Sequence, residues 1–154
     1  GGFYLPNGPR DGPTWNTPTG KAVIHAHPLP IRRIPDDRYI LMTLRSHDQY
    51  NTTIYGMDDR YRGIYNSRRI VMMNPIDMDE LGLAPMDEVD LTSHFEGREI
   101  SARKWKVIPY EIPRKNLAAY FPEANVLVAL DSVARGSNTP TSKWIEVSLK
   151  PHKD

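Results

Sequence analysis

The chain has 154 residues and a formal net charge of +1, with 39% hydrophobic and 25% charged residues. These values suit one soluble globular domain, and so small a charge creates no long-range field favouring nucleic acid or an anionic membrane. No stretch approaches the roughly 20 apolar residues of a membrane-spanning helix, and the lack of cysteine excludes disulfides, thiolate nucleophiles and cysteine-held zinc or iron–sulfur clusters.

The first twenty residues are rich in Gly and Pro and show neither a helical nor a strand period. With Gly1-Gly2 in place of an initiator Met, they are expected to be an extended lead from a preceding domain, residues 21–154 forming the domain proper. The 14 prolines and 10 glycines are spread along the chain, which disfavours long helices. Strands are predicted over Lys21–Ala26, Arg38–Leu44, Arg69–Met73, Glu88–Ser93, Glu99–Ile108, Asn125–Leu130 and Trp144–Leu149. The apolar run ending at Leu44 reads as a buried central strand, Arg69–Met73 as a third strand, the alternating Glu88–Ser93 as half-buried, and Glu96-Gly97 as a hairpin turn. Pro75–Leu81 is the best helix: Asn74 caps it, Pro75 suits its first turn, acids lie at its positive end and Gly82 stops it. Asn116–Phe121 and Ser132–Arg135 are predicted as single helical turns. The sum is a mostly-β barrel with short inserted helices.

The densest polar cluster follows Leu44: Arg45-Ser46-His47-Asp48-Gln49-Tyr50-Asn51-Thr52-Thr53-Ile54-Tyr55-Gly56. Arg45 can take a phosphate bidentately. Ser46 and Thr52 can donate hydroxyls, His47 can donate a ring N–H, and Gln49 and Asn51 can match a heterocycle edge bearing donors and acceptors. The same residues also suit a loop that bonds its own backbone. The cluster lacks a nucleophile–base–orienter set, so it reads as binding rather than catalytic. Met42, Met72 and Met73 read as core filler, and Arg68-Arg69 as a strand-edge charge pair. His25 and His27 share a strand face with no third ligand nearby, so no metal site is expected.

Arg45 to Gly56, followed by Asp59-Arg60-Tyr61-Arg62-Gly63-Ile64, resembles the cofactor loop of formate-dehydrogenase-like members of the molybdopterin oxidoreductase (dimethyl sulfoxide reductase) superfamily. Val71-Met72-Met73-Asn74-Pro75-Ile76-Asp77 is similar to that family's strand-to-helix element. Leu81-Gly82-Leu83 and Asp87-Glu88-Val89-Asp90-Leu91 resemble its run from helix into strand, Pro122-Glu123-Ala124-Asn125-Val126-Leu127 its pterin-facing segment, and Pro140-Thr141-Ser142-Lys143 its final loop. Asn16 to Ala22 resembles the linker entering the domain. The blocks cover nearly the whole chain in order.

The resemblance implies a double-psi β-barrel, the aspartate-decarboxylase-like fold. It also implies molybdopterin guanine dinucleotide as cofactor, with molybdenum or tungsten and the catalytic groups on other domains of the same oxidoreductase. Those domains are the implied partners, no nucleic-acid or membrane partner is expected, and the domain alone is expected to be inactive. Arg45 to Thr52, Asn125 and Lys143 would meet the pterin end, Asn74 and Asp77 the guanine end. Each has a plainer reading beside it: Asn74 and Asp77 as a helix cap and a charge at the helix dipole, Asn125 as a turn residue, Lys143 as a solvated cation. Well-known formate dehydrogenases carry a more His- and Gly-rich first loop, so the resemblance implies the class and leaves the substrate open. A cytoplasmic location is expected. Two other functions suit such a barrel. One is a protein-interaction module. The other is self-processing at Gly136-Ser137, as in aspartate decarboxylase.

Overall fold

A computed structural model describes residues 1–13, 15–29, 31 and 33–153. The chain divides into two compact units, Gly1–Arg33 and Ile34–Asp154. Among the described residues of the first unit the one element is a single helical turn, α1 (Gly8–Asp11), capped by the Asn7 side chain. Tyr4 Oη donates to Asp11 Oδ1 at 2.5 Å. The strand predicted over Lys21–Ala26 does not form; these residues are irregular and exposed. Its weak alternation has no neighbouring strand to pair with, and an isolated strand has no stability of its own.

The second unit is a closed barrel of six strands: β1 (Tyr39–Leu44), β2 (Ile70–Met73), β3 (Glu88–Phe95), β4 (Arg98–Pro109), β5 (Asn116–Tyr120) and β6 (Ile145–Pro151). Their order around the barrel is β1-β5-β2-β4-β3-β6. β1–β5 and β2–β4 pair parallel, and the other four contacts are antiparallel. Exchanging β1, β2 and β3 for β4, β5 and β6 leaves this set of pairings unchanged. Two interlocked halves, each lending a strand to a parallel pair, make the double-psi arrangement.

The interior holds Leu41, Val71, Met73, Val89, Leu91, Trp105, Val107, Leu117 and Ala119, among others. A second apolar cluster lies on the outer face, where Ile64 of the long loop covers Ile70, Met72, Ala118 and Tyr120. Hence all four residues of β2 are buried, and its sequence shows no alternation because each face has a cover. Glu96 and Gly97 turn the β3–β4 hairpin with φ of 49° and 75°, the two left-handed residues of a type I′ turn. A bulge sets Arg103 and Lys104 against Asp90 alone, whose Oδ1 accepts from Lys104 N at 3.1 Å.

α2 (Pro75–Glu80) forms where the sequence places it, with Asn74 Oδ1 accepting from Ile76 N at 2.9 Å. Three local predictions change. The predicted helical turn Asn116–Phe121 is instead the strand β5 (Asn116–Tyr120): Leu-Ala-Ala has helix propensity, but β1 and β2 flank it and take its backbone groups. Asn125–Leu130 is not a strand; Glu123–Leu127 forms a 3-10 helix behind Pro122. Ser132–Arg135 is not helical, and Val133 bridges Pro140 instead.

Candidate cofactor-binding site

A cleft of about 710 Å³ opens at the end of the barrel where β1 and β5 finish. Three segments wall it: Thr43 to Arg45 at the end of β1, Phe121 to Leu130 around the 3-10 helix, and Thr139 to Lys143 ahead of β6. Leu44, Phe121, Val128, Ala129, Leu130 and Pro140 supply apolar walls; Arg45, Asn125, Thr139, Ser142 and Lys143 supply the polar groups. Arg45 lies over the Phe121 ring, 5.7 Å from its centroid, and donates from Nη2 to Asn51 Oδ1 at 2.7 Å. Lys143 Nζ donates to the Thr43 carbonyl. Two cations, an amide and hydroxyls above an apolar floor match a polar heterocycle bearing phosphate.

Behind the cleft the loop 45–69 is tied down from within. Arg68, placed by the sequence reading at a strand edge, is 3% exposed. It is not a surface charge: the returning loop buries it against the end of β5. Its Nη1 donates to Ser46 Oγ at 2.7 Å, and its Nη2 to Gln49 Oε1 and to the Phe121 carbonyl, each at 2.9 Å. Its Nε donates to Glu123 Oε1 at 2.7 Å. Gln49 Nε2 donates to the carbonyls of Asn51 and Phe121. Further along, the buried Asp59 accepts from Tyr120 Oη at 2.7 Å, Arg62 Nη1 at 2.5 Å and His47 N at 3.2 Å. Burial opposes ionisation of Asp59, but Tyr120 and Arg62 outweigh it and hold the carboxyl below the usual range. Burial first, then the Asp59 carboxylate, pushes the Tyr120 phenol well above its ordinary value.

Of the ten residues proposed from sequence, the structure gathers Arg45, Asn125 and Lys143 on the cleft, with Asn51 held against Arg45. Ser46 and Gln49 are 4% and 8% exposed and face the Arg68 network. His47 is exposed and stacks on Tyr61 with ring centroids 3.6 Å apart; Thr52 is exposed in the turn at 51–53. Asn74 and Asp77 stand elsewhere, at the opposite end of β5, where Met73 pairs with Leu117. From Leu117 to Tyr120 is roughly 10 Å of strand. Asn74 Nδ2 donates to the Ile112 carbonyl while Oδ1 caps α2. Asp77, 1% exposed, accepts from Arg114 Nε at 2.7 Å and Lys115 N at 2.6 Å.

The apolar walls and the roles of Arg68 and Asp59 as buried hubs were not read from the sequence, although Asp59 lies in the block that resembles the family's cofactor loop. On the outer face, His94 Nε2 lies 2.8 Å from Ser148 Oγ and Nδ1 lies 3.2 Å from Glu99 Oε1. Glu99 is 66% exposed and the three sit on neighbouring strands, so this is a cross-strand polar ladder. Among the described residues no group of three or more His, Asp or Glu could hold a metal ion. No described helix is long and apolar enough to cross a membrane.

Fold and cleft together define a double-psi barrel with a cationic, apolar-floored pocket at one end. Residues 39–145 match the family described as the molydopterin dinucleotide binding domain, and the chain belongs to that family. It is 50% identical over 155 residues to an uncharacterized oxidoreductase of Mycobacterium tuberculosis, covering 97% of this chain and 20% of the relative. It is 35% identical over 161 residues to protein YdeP of Escherichia coli, covering 98% of this chain and 21% of that protein. The chain therefore spans about a fifth of the length of these curated relatives. Acetylene hydratase from Pelobacter acetylenicus shares the fold, with a TM-score of 0.55 at 14% identity, over 95% of this chain and 25% of that one.

Proposed function

We propose that the chain holds molybdopterin guanine dinucleotide as one domain of a longer, formate-dehydrogenase-like oxidoreductase. Its role is to orient the cofactor and supply positive charge, while other domains carry molybdenum or tungsten and the chemistry. The observation that carries this reading is the cleft, where Arg45, Lys143 and Asn125 converge from three segments over apolar walls. Lys143 and Arg45 suit phosphate, and the amide of Asn125 suits the pterin edge. Asp77 takes part less readily than the sequence reading supposes, because it is buried and already accepts from Arg114 and Lys115 N; a guanine edge would have to uncover it first. Residues 1–20 serve in this reading as the lead from the preceding domain.

The test is dinucleotide content in the full-length protein. Arg45→Ala with Lys143→Ala removes two charge-assisted contacts, at about 1.5–3 kcal/mol each, and is expected to leave most molecules without dinucleotide after purification. Wild-type content in that double variant, measured by chromatography of the released nucleotide, refutes the reading.

A further inference from the structure

We propose that Arg68 is the positioning residue of the cleft, setting the spacing of its walls without facing the pocket. The inference rests on the cofactor reading of that cleft. The walls come from segments distant in sequence. Arg45 leaves the end of β1, whereas Asn125 and Val128 follow β5, and at this end the backbone bond from Phe121 N to Leu44 O, at 3.0 Å, joins the two.

Gln49 Nε2 adds one bond across, to the Phe121 carbonyl at 2.8 Å, and Arg68 bridges the two segments at several points. Arg68 donates to Ser46 and Gln49 on the first segment and to Phe121 and Glu123 on the second. Ser46 adjoins Arg45, and Glu123 lies two residues before Asn125. The faces of the guanidinium are also occupied, with the Tyr55 ring centroid at 4.1 Å and that of Tyr120 at 5.0 Å. A planar fork with five donors can hold four acceptors and two rings at once; an ammonium cannot.

Burial of this pair is informative. The Arg68 side chain is 3% exposed and that of Glu123 22%. A desolvated ion pair contributes little net stability over an apolar equivalent, and in some proteins such a pair serves to define one arrangement. Here the arrangement so defined is the distance between the Arg45 and Asn125 walls. Arg69, the next residue, makes the contrast: it is exposed, donates to the Arg103 carbonyl at 2.8 Å and lies over Trp105.

The experiment uses the full-length oxidoreductase and four variants: R68K, R68M/E123Q, R69M and R45A/K143A. R68M/E123Q removes both charges, so that no lone buried carboxylate unfolds the domain. Two quantities are followed, the rate of dinucleotide loss and the hydrogen-exchange protection of β2 and β5 amides. Outer-shell partners that orient metal ligands change metal affinity by about 10–100-fold when removed, and the same order is expected of a residue that supports the cleft from behind. R68M/E123Q is expected to lose dinucleotide at least about tenfold faster at wild-type strand protection, R68K to fall between it and wild type, and R69M to match wild type. Wild-type retention in R68M/E123Q overturns the proposal. So does a loss of strand protection that accompanies dinucleotide loss in both Arg68 variants, since Arg68 would then be holding the fold rather than the cleft. Wild-type retention in R45A/K143A overturns the cleft reading itself, independently of the Arg68 variants.

Discussion

Replacing Asp59 by Ala removes the anchor of the loop 45–69. The Asp59 side chain is fully buried and that of Arg62 is 25% exposed; Tyr120 is 1% exposed. Deleting the carboxylate strands the Tyr120 hydroxyl and the His47 N–H, whereas Arg62 can turn toward water. Two stranded donors at about 1–3 kcal/mol each give a cost of roughly 2–6 kcal/mol. Tyr120→Phe removes one hydrogen bond to a charged acceptor, about 1.5–3 kcal/mol, and leaves Asp59 with its other donors. Because both variants delete the same contact, the double variant is expected to fall short of their sum by about 1–3 kcal/mol. Urea denaturation of the chain measures all three, with the buried Trp105 as fluorescent reporter. A cost below about 1 kcal/mol for Asp59→Ala, or strict additivity with Tyr120→Phe, refutes this account of the loop.

The remaining predictions concern charge, clamp and turn. Asp59 titrates below its usual range when folded, so its contribution is present above the unfolded carboxylate pKa of about 4 and is lost as pH falls below it. The melting-temperature gap between wild type and Asp59→Asn should therefore narrow from pH 6 to pH 3; a constant gap counts against the assignment. Asp77→Ala leaves Lys115 N unpaired and frees the partly exposed Arg114, for about 2–4 kcal/mol in urea denaturation. A near-neutral result would mean that Asp77 does not clamp the turn between β4 and β5. At Gly97 a Cβ meets no atom within 4 Å, but φ is +75°, so Gly97→Ala is expected to cost about 1 kcal/mol from conformation alone. Glu96→Asn, which tolerates the left-handed region better, should lose nothing.

Much of the barrel was legible locally. The apolar run before Arg45, the Asn74-Pro75 cap and the Glu96-Gly97 turn each carry their signal within a few residues, because dihedral preferences and capping are short-range. The order of the motif blocks carried the family. Short elements misled where local propensity and environment disagree: Leu117-Ala118-Ala119 favours a helix but lies between two strands, and Val126-Leu127-Val128 resembles a strand but follows Pro122.

The ten candidate residues show the same division. Sequence alone grouped Arg45, Ser46, His47, Gln49, Asn51 and Thr52, since all are polar and close together in the chain. Tertiary structure decided that Arg45 faces the cleft while Ser46 and Gln49 turn inward to Arg68, and that Asn74 and Asp77 stand at the other end of β5. Which way a side chain points depends on what covers it, and here that cover is Glu123 and Tyr120, more than fifty residues further along the chain. Residue types set the chemistry available to this domain; the returning chain set which of them can meet a ligand.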